Sequence, residues 1–324
     1  MLVCNMKSSE TLKTQLYTQF QIPKNPQWKT LPKLAFLGSC FSTNISQKFD
    51  SFFISNKANP FGTQFSPDAI AQTLEHIKNQ SNPELTLFEN QFHALLFDSQ
   101  FCSNNSEELL QHIQFLLAES HDYLKSMDMI FITLGSAWIY QFIDNQQKVG
   151  NCHKIPQKYF EKRLLSINEI QENILSIHSS LKKINPRCKI VFTVSPVRHL
   201  RDGIIENSIS KSHLISALHH SLHGLDDCDY FPSYEIFNEE LRDHRFFESD
   251  LAHPNQFAID YIFQRLLETY SYPEMMKYFE KAQQLLNTLS HKVKSVNEKE
   301  IVNWQEKLNL EKLNFKSQYP DCTL

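Results

Sequence analysis

The sequence predicts an α/β protein built as a three-layer α/β/α sandwich around a mainly parallel sheet. Short, nearly continuous apolar segments recur along the chain, as expected for parallel strands that are buried on both faces. Three of them are KLAFL (33–37), MDMIFITL (127–134) and KIVFTV (189–194). Amphipathic stretches of helical length separate these segments, and this alternation is typical of right-handed βαβ units.

Each element has its own signal. After the first strand, Gly38-Ser39-Cys40 interrupts the apolar segment, and a helix is predicted over 41–52 because apolar residues recur there at helical spacing. Three further helices are predicted at 66–79, 106–124 and 166–184, and each begins with a serine that can cap the first turn. A fourth strand at 229–231 and a helix at 255–270 complete the pattern.

The 324 residues are predicted to form one main domain. It covers 31–272, between an N-terminal extension (1–30) and a charged helical appendage (273–324) in which Lys, Glu, Gln, Asn and Leu recur at helical spacing without a glycine. Three roles are open for the appendage: packing on the domain, forming a homodimer, or covering the functional site.

Composition excludes several classes of function. The net charge of −4 comes from interleaved acidic and basic residues, which is unlike the basic surface of a nucleic-acid-binding protein. We find no secretory signal and no apolar segment long enough to span a membrane, so a soluble, cytoplasmic protein is expected. The seven cysteines lack a C-x-x-C pair, which favours reduced thiols. No cofactor is expected. No metal site is expected either, since His219 and His223 lack the carboxylate of H-E-x-x-H.

The residues that follow the strands point to a serine nucleophile. Loops at the carboxyl ends of parallel strands converge on one crevice. Ser39 lies at a strand-to-helix turn there, where the helix dipole favours a developing oxyanion. Asp250 lies three residues before His253, a spacing that lets its carboxylate bind one imidazole nitrogen while the other faces Ser39. The competing interpretations are a helix-capping serine and a chance D-x-x-H.

Further side chains of these loops are candidates for substrate binding. Cys40 is an alternative nucleophile, since a thiol at a helix N-terminus is expected to have a lowered pKa. Arg198 and His199 could hold a carboxylate, a phosphate or a sugar hydroxyl, or could belong to an ordinary surface loop. Tyr234 could line the same pocket or simply pack in the core.

Several motifs, in order along roughly 30–270, resemble those of the GSCFA family. They are L-G-S-C-F-S (37–42), N-P-F-G-T (59–63), T-L-G-S-A-W (133–138), N-C-H-K-I-P (151–156), S-P-V-R-H (195–199), F-P-S-Y-E (231–235) and H-P-N (253–255). This family is similar to the SGNH hydrolases, which have a flavodoxin-like sandwich. The resemblance therefore implies the same fold as the pattern of strands and helices.

The resemblance also implies an activity. SGNH hydrolases are mostly esterases, lipases and carbohydrate O-acetyl-ester hydrolases, with some acyl-transferring relatives, so a small-molecule or carbohydrate acyl ester is the expected substrate. Ser39 would be the nucleophile, and Asp250 with His253 would complete the triad. The turn at Gly38 and the motif residues Asn59 and Gly62 would shape the oxyanion hole, to which Gly62 would lend its amide.

One position departs from the SGNH pattern. These enzymes usually carry Gly-x-Asn after the third strand, whereas this chain has Gly135-Ser136-Ala137. Ser136, or Asn151 from the next motif, would have to replace the missing amide donor. His153 of that motif would be either a site residue or a structural histidine bound to the backbone. The alternatives to an esterase are thus an acyltransferase on the same triad and a non-catalytic protein that binds a glycan or an acyl ligand.

Overall fold

The computed structural model describes residues 20–290 and 298–324. The strands are β1 (Leu34–Gly38), β2 (Asn56–Ala58), β3 (Thr86–Phe88), β4 (Gln91–His93), β5 (Cys102–Ser103), β6 (Met129–Leu134), β7 (Trp138–Phe142), β8 (Lys148–Val149), β9 (Phe160–Leu164), β10 (Lys189–Val194) and β11 (Cys228–Tyr230). The main helices are α1 (Cys40–Ser51), α2 (Pro67–Asn79), α3 (Ser106–Lys125), α4 (Ile167–Ile184), α5 (Ile204–Leu222), α6 (Gln256–Tyr270), α7 (Pro273–Ser290) and α8 (Glu298–Gln318).

A five-stranded parallel sheet forms the middle layer. Its order is β11-β10-β6-β1-β2, and every neighbouring pair is parallel. β1, β6 and β10 lie side by side in the centre and have almost entirely buried residues, which explains their continuous apolar sequences. The predicted α/β/α sandwich is therefore confirmed.

Side chains alternate between two cores on opposite faces of this sheet. In β1, Ala35 and Leu37 belong to the core formed with α2, α3, α4 and α5. Leu34 and Phe36 belong to the other core, which includes residues of α1, α6, α7 and α8. This alternation follows from the two-residue period of a strand.

Two small antiparallel sheets lie outside the middle layer. One has the order β3-β4-β5 and the other β8-β7-β9. Both occur in connections that leave the central sheet, before and after β6. Their strands are two to five residues long, and the apolar segments of the sequence do not predict them.

The region assigned to a charged appendage packs on the sandwich. Tyr278 and Phe279 of α7 are buried in the second core, and Tyr278 donates a hydrogen bond to Phe52 O at 2.7 Å. From the N-terminal extension, Trp28 is buried against Tyr270 in the same core, whereas residues 1–19 lie outside the described part of the chain. Among the residues that the structure describes, no helix combines the length and apolarity that crossing a membrane requires.

Two of the predicted serine caps are present and one is wrong. Ser66 accepts a hydrogen bond from Ala69 N, and Ser166 forms a capping box with Glu169. At α3, however, the cap is Asn105, whose side chain accepts from the amides of the first turn, and Ser106 is the first helical residue. The amide side chain takes the role predicted for the serine because it comes one position earlier.

Candidate active site

The turn between β1 and α1 places Ser39, in an extended conformation, directly after a glycine whose own backbone conformation disfavours a side chain. Gly38 has φ +128°, and a Cβ there would lie 2.1 Å from Thr133 O. Asn59 braces the turn: its Oδ1 accepts from Gly38 N at 2.8 Å, and its Nδ2 donates to Thr43 Oγ1 at 3.1 Å. The role of Asn59 in this structure is thus to fix the backbone around Ser39.

The Ser39 hydroxyl is buried and has no hydrogen-bond partner. Although Ser39 is the N-cap residue of α1, its side chain makes no capping hydrogen bond. The ordinary reason for a serine at this position is therefore missing. An unpaired buried hydroxyl is unfavourable unless something else binds it, and such groups are frequent at functional sites.

Asp250 and His253 form a hydrogen-bonded pair in an exposed loop. His253 Nδ1 lies 2.6 Å from Asp250 Oδ2, and Asp250 Oδ1 accepts from the amides of Ala252 and His253. These two backbone amides, together with the imidazole, lower the pKa of Asp250 to about 2. Because the carboxylate can only accept, His253 donates from Nδ1 and its Nε2 is left as a base.

The loop that follows β10 contacts the loop that carries this pair. Arg198 N donates to Ala252 O at 3.1 Å, and the Arg198 guanidinium lies 4.2 Å from the ring centroid of Phe247. His199 N donates to Asn207 Oδ1 of α5 at 2.9 Å. The segment 195–199 is thereby held between α5 and the His253 loop.

His199 is the second side chain of the site with a buried, unpaired polar atom. Its Nε2 has no partner, and its ring packs edge-on against Phe65. Burial lowers the pKa of His199 to about 4, with further lowering by the nearby charges of Lys211 and His253. His199 is therefore a neutral imidazole at physiological pH.

Two of the three donors expected for the oxyanion hole are engaged elsewhere in this structure. Gly62 N donates to Asn59 O at 2.9 Å within a turn. Ser136 N donates to Phe65 O, and the Ser136 hydroxyl lies 3.3 Å from the hydroxyl of Ser210. Asn151 uses its acceptor atom locally, since its Oδ1 accepts from His153 N.

Gly62 itself has a clear structural requirement. Its φ of +80° lies in the left-handed region, and a Cβ would lie 2.0 Å from the carboxylate of Asp98. The backbone at Gly135 is also crowded, since a Cβ would meet Phe65 at 3.1 Å. Both glycines allow close packing of the loops around the nucleophile turn.

The prediction of a lowered thiol pKa at Cys40 is wrong. Burial raises the pKa of its thiol, and this effect outweighs the lowering by the amides of Cys40 and Phe41 and by the charge of Lys211. A thiol that stays protonated at neutral pH is a poor nucleophile. Cys40 begins α1 directly beside Ser39 as a half-buried side chain.

His153 is bound to the protein on both sides of its ring. Its Nε2 lies 3.1 Å from Phe97 O and its Nδ1 lies 3.2 Å from Nδ1 of His93. Burial lowers the pKa of both histidines. The N-C-H-K motif thus packs on segment 94–98, which in turn supports the Gly62 turn through the hydrogen bond from Asp98 N to Phe61 O.

Sequence reasoning missed a buried polar face of α5. Asn207, Ser210 and Lys211 are all buried, with Lys211 only 1 % exposed. Ser210 Oγ accepts from Ala137 N, and Lys211 Nζ donates to Gly135 O and Ser195 O, both at 2.7 Å. The polar spacing of three and four residues is present in the sequence, but it equally fits an exposed helix face. Tyr234 lies beside this face, with its ring centroid 5.9 Å from Lys211 Nζ.

One cluster of metal-ligand type exists among the described residues, and it lies apart from Ser39. It consists of His178, Asp227 and Cys228. Lys182 occupies Asp227 Oδ2 at 2.6 Å, and burial raises the pKa of Cys228 to about 12. A lysine ammonium and a protonated thiol both disfavour a cation, so we interpret this cluster as an ion-pair network.

Comparison with family models gives a match over most of the sandwich. The model of the GSCFA family matches residues 33–266, which is well over half of the chain. No curated protein matches it.

Three solved structures are similar to this chain at low identity. A carbohydrate esterase family 3 protein from Talaromyces cellulolyticus has 8 % identity and a TM-score of 0.37, covering 77 % of this chain and 98 % of its own. A family 3 carbohydrate esterase from Clostridium thermocellum has 9 % identity and a TM-score of 0.35, with 80 % and 99 % covered. The lipase Lip_vut3 from a goat rumen metagenome has 10 % identity and a TM-score of 0.37, with 74 % and 98 % covered.

Proposed function

The chain belongs to the GSCFA family, and on that premise we propose that it is a serine-dependent carboxylic ester hydrolase. Ser39 is the nucleophile, His253 the general base and Asp250 its orienting carboxylate. The observation that carries the proposal is the Ser39 hydroxyl, which is buried, unpaired and placed at the N-terminus of a helix. No cofactor is needed for this chemistry.

The proposed reaction has two halves. His253 Nε2 removes the proton of the Ser39 hydroxyl while Oγ attacks the ester carbonyl carbon, and the imidazolium then protonates the departing alcohol. Water attacks the acyl-enzyme in the same way, which releases the acid and regenerates Ser39. Ser39 and His253 are not hydrogen-bonded here, and catalytic hydrogen bonds commonly tighten only when substrate binds.

The substrate side of the proposal is an O-acyl ester, with O-acetyl carbohydrates as the class to test first. An acceptor hydroxyl in place of water would make the same triad an acyltransferase. Arg198 and His199 lie at the loop that contacts the His253 loop, so we assign them to substrate binding. Tyr234 is a further candidate because it lies beside the same buried face of α5.

Labelling with a fluorophosphonate probe tests the nucleophile. We expect the wild type to be labelled, and Ser39→Ala and His253→Ala to lose labelling by at least about 10³-fold, because nucleophile and base act as a unit. Ser42→Ala is the matched control: Ser42 is a buried serine near the start of α1, and its hydroxyl is paired with Leu37 O and Thr133 Oγ1. Equal labelling of wild type and Ser39→Ala would refute the assignment.

A second function is favoured by one observation. Because Gly62 N and the Ser136 hydroxyl are engaged in other hydrogen bonds, a protein that binds an acyl ligand without turning it over is the competing proposal. Hydrolysis of p-nitrophenyl acetate separates the two. Turnover above background that depends on Ser39 supports the esterase, whereas no turnover with a ligand-induced rise in melting temperature supports the binding protein.

A further inference from the structure

Lys211 is a fully buried lysine whose amine lies at the loops that follow β6 and β10. It projects from α5 to the carboxyl ends of β6 and β10, where Nζ donates to Gly135 O and Ser195 O at 2.7 Å each. Gly135 follows the strand that pairs with β1, and Ser39 N donates to Thr133 O of that strand. The ammonium is therefore held within the layer of loops that surrounds the nucleophile.

No carboxylate compensates this charge among the described residues. Two carbonyl oxygens accept from Nζ, so one of the three N–H groups of an ammonium has no acceptor within residues 20–290 and 298–324. The titratable groups that face it are Cys40 of α1, His199 of the loop after β10 and Tyr234. Cys40 and Tyr234 are neutral because burial raises the pKa of both groups, and His199 is neutral because burial lowers its pKa to about 4.

An unpaired buried charge lowers the free energy of unfolding. A lysine at this position is therefore better explained by a role in function than by a role in stability. The reaction proposed above creates one negative charge next to Ser39, on the former carbonyl oxygen. Ala137 stands at the position where SGNH enzymes usually carry the amide donor for this charge, and the hydroxyl of the adjacent Ser136 lies near that of Ser210. A fixed cation nearby would stabilise the same charge.

We propose that Lys211 is a positioning residue that provides the positive charge for the oxyanion formed at Ser39 and holds the loops after β6 and β10 around it. This inference rests on the proposed esterase function. The charge acts across the site while the two hydrogen bonds keep Gly135 and Ser195 in place. This role in stabilising the oxyanion requires the protonated form of Lys211.

The pH dependence of ester hydrolysis tests the inference in the full-length protein. Burial lowers the pKa of Lys211 to about 7, so the wild-type kcat for p-nitrophenyl acetate should fall as pH rises through that value. Lys211→Gln keeps an N–H donor but removes the charge. We expect its kcat to be lower by on the order of 10²-fold, with a smaller change in KM and without the fall at alkaline pH.

Ser210→Ala is the matched control, because it removes the hydrogen bond to Ala137 N from the same helix face but keeps the charge. Its alkaline fall should persist. A Lys211→Gln enzyme with the wild-type pH profile and a kcat within about threefold of the wild type would overturn the inference. The proposed esterase function would then still stand. A wild type with neither turnover nor labelling would overturn both proposals.

A second measurement applies if Lys211→Gln does not fold. In wild-type protein carrying ¹⁵N-lysine, phosphonylation of Ser39 places an oxygen with partial negative charge where the oxyanion forms. The pKa of the Lys211 amine should then rise by about one unit or more, a shift readable by NMR titration. An unchanged titration after complete phosphonylation would overturn the inference.

Discussion

Gly38 and Lys211 differ in how far the sequence reveals them. Gly38 ends an apolar strand in a chain with only six glycines, so a special backbone conformation could be predicted there. Lys211 could not be predicted, because lysine is almost always exposed and the sequence of α5 does not show which of its faces is buried. Its role depends on two carbonyl groups that are 76 and 16 residues away in the chain.

The thiol of Cys40 shows a related limit of prediction from the sequence. The position at a helix N-terminus is visible in sequence and predicts a lowered thiol pKa. The degree of burial is set by loops from elsewhere in the chain, and here it raises the pKa instead. The sign of the shift thus depends on tertiary packing that local sequence does not contain.

Substitution of Gly38 by alanine should damage the nucleophile turn. The backbone at φ +128° and the 2.1 Å approach of a Cβ to Thr133 O both oppose a side chain. We expect Gly38→Ala to lower the free energy of unfolding by roughly 3 kcal/mol or more and to abolish probe labelling. Urea unfolding and fluorophosphonate labelling measure the two effects.

Gly224→Ala is the control for this substitution. A Cβ at Gly224 would have no heavy atom within 4 Å. Its unfolding free energy should stay within about 0.5 kcal/mol of the wild type, with labelling intact. Equal stability of the two alanine variants would contradict the strained turn described for Gly38.

At the scale of elements, regular periodicity explains which predictions succeed. The strand predicted at 189–194 has those bounds, and the helices predicted at 66–79 and 166–184 agree with the observed helices to within one residue at each end. Strands such as β5 and β8, with two residues each, are too short to show a period. They form because β4 and β7 offer edges for pairing.

The cap of α3 gives a test of an element boundary. Asn105 Oδ1 accepts from the amides of Glu107 and Glu108, whereas Ser106 makes no such bond. Asn105→Ala should therefore lower the free energy of unfolding by about 1 kcal/mol, and Ser106→Ala by less than about 0.5 kcal/mol. Thermal or urea unfolding of the two variants measures the difference. A larger loss of stability in Ser106→Ala than in Asn105→Ala would contradict the assignment of Asn105 as the cap.

At the scale of the whole molecule, the sequence predicts the layers but not how the C-terminal helices join them. The charged composition after 272 suggests a peripheral appendage. The few aromatic residues among those charges decide the packing: Phe279 lies 5.4 Å from Phe52 and 6.3 Å from Phe263 between ring centroids. α7 therefore covers α1 and α6 on the face of the sheet opposite α2 and α4.

Truncation of Phe279 tests whether α7 is part of the cooperative fold. The side chain is 4 % exposed, so Phe279→Ala should lower the free energy of unfolding by about 3–5 kcal/mol, through lost burial and the cavity left behind. The exposed neighbour Lys277 provides the control. Lys277→Ala should change the free energy of unfolding by less than about 0.5 kcal/mol. Urea unfolding followed by circular dichroism should show one transition for both. A separate early transition for Phe279→Ala, with the main one unshifted, would mean that α7 folds independently of the sandwich.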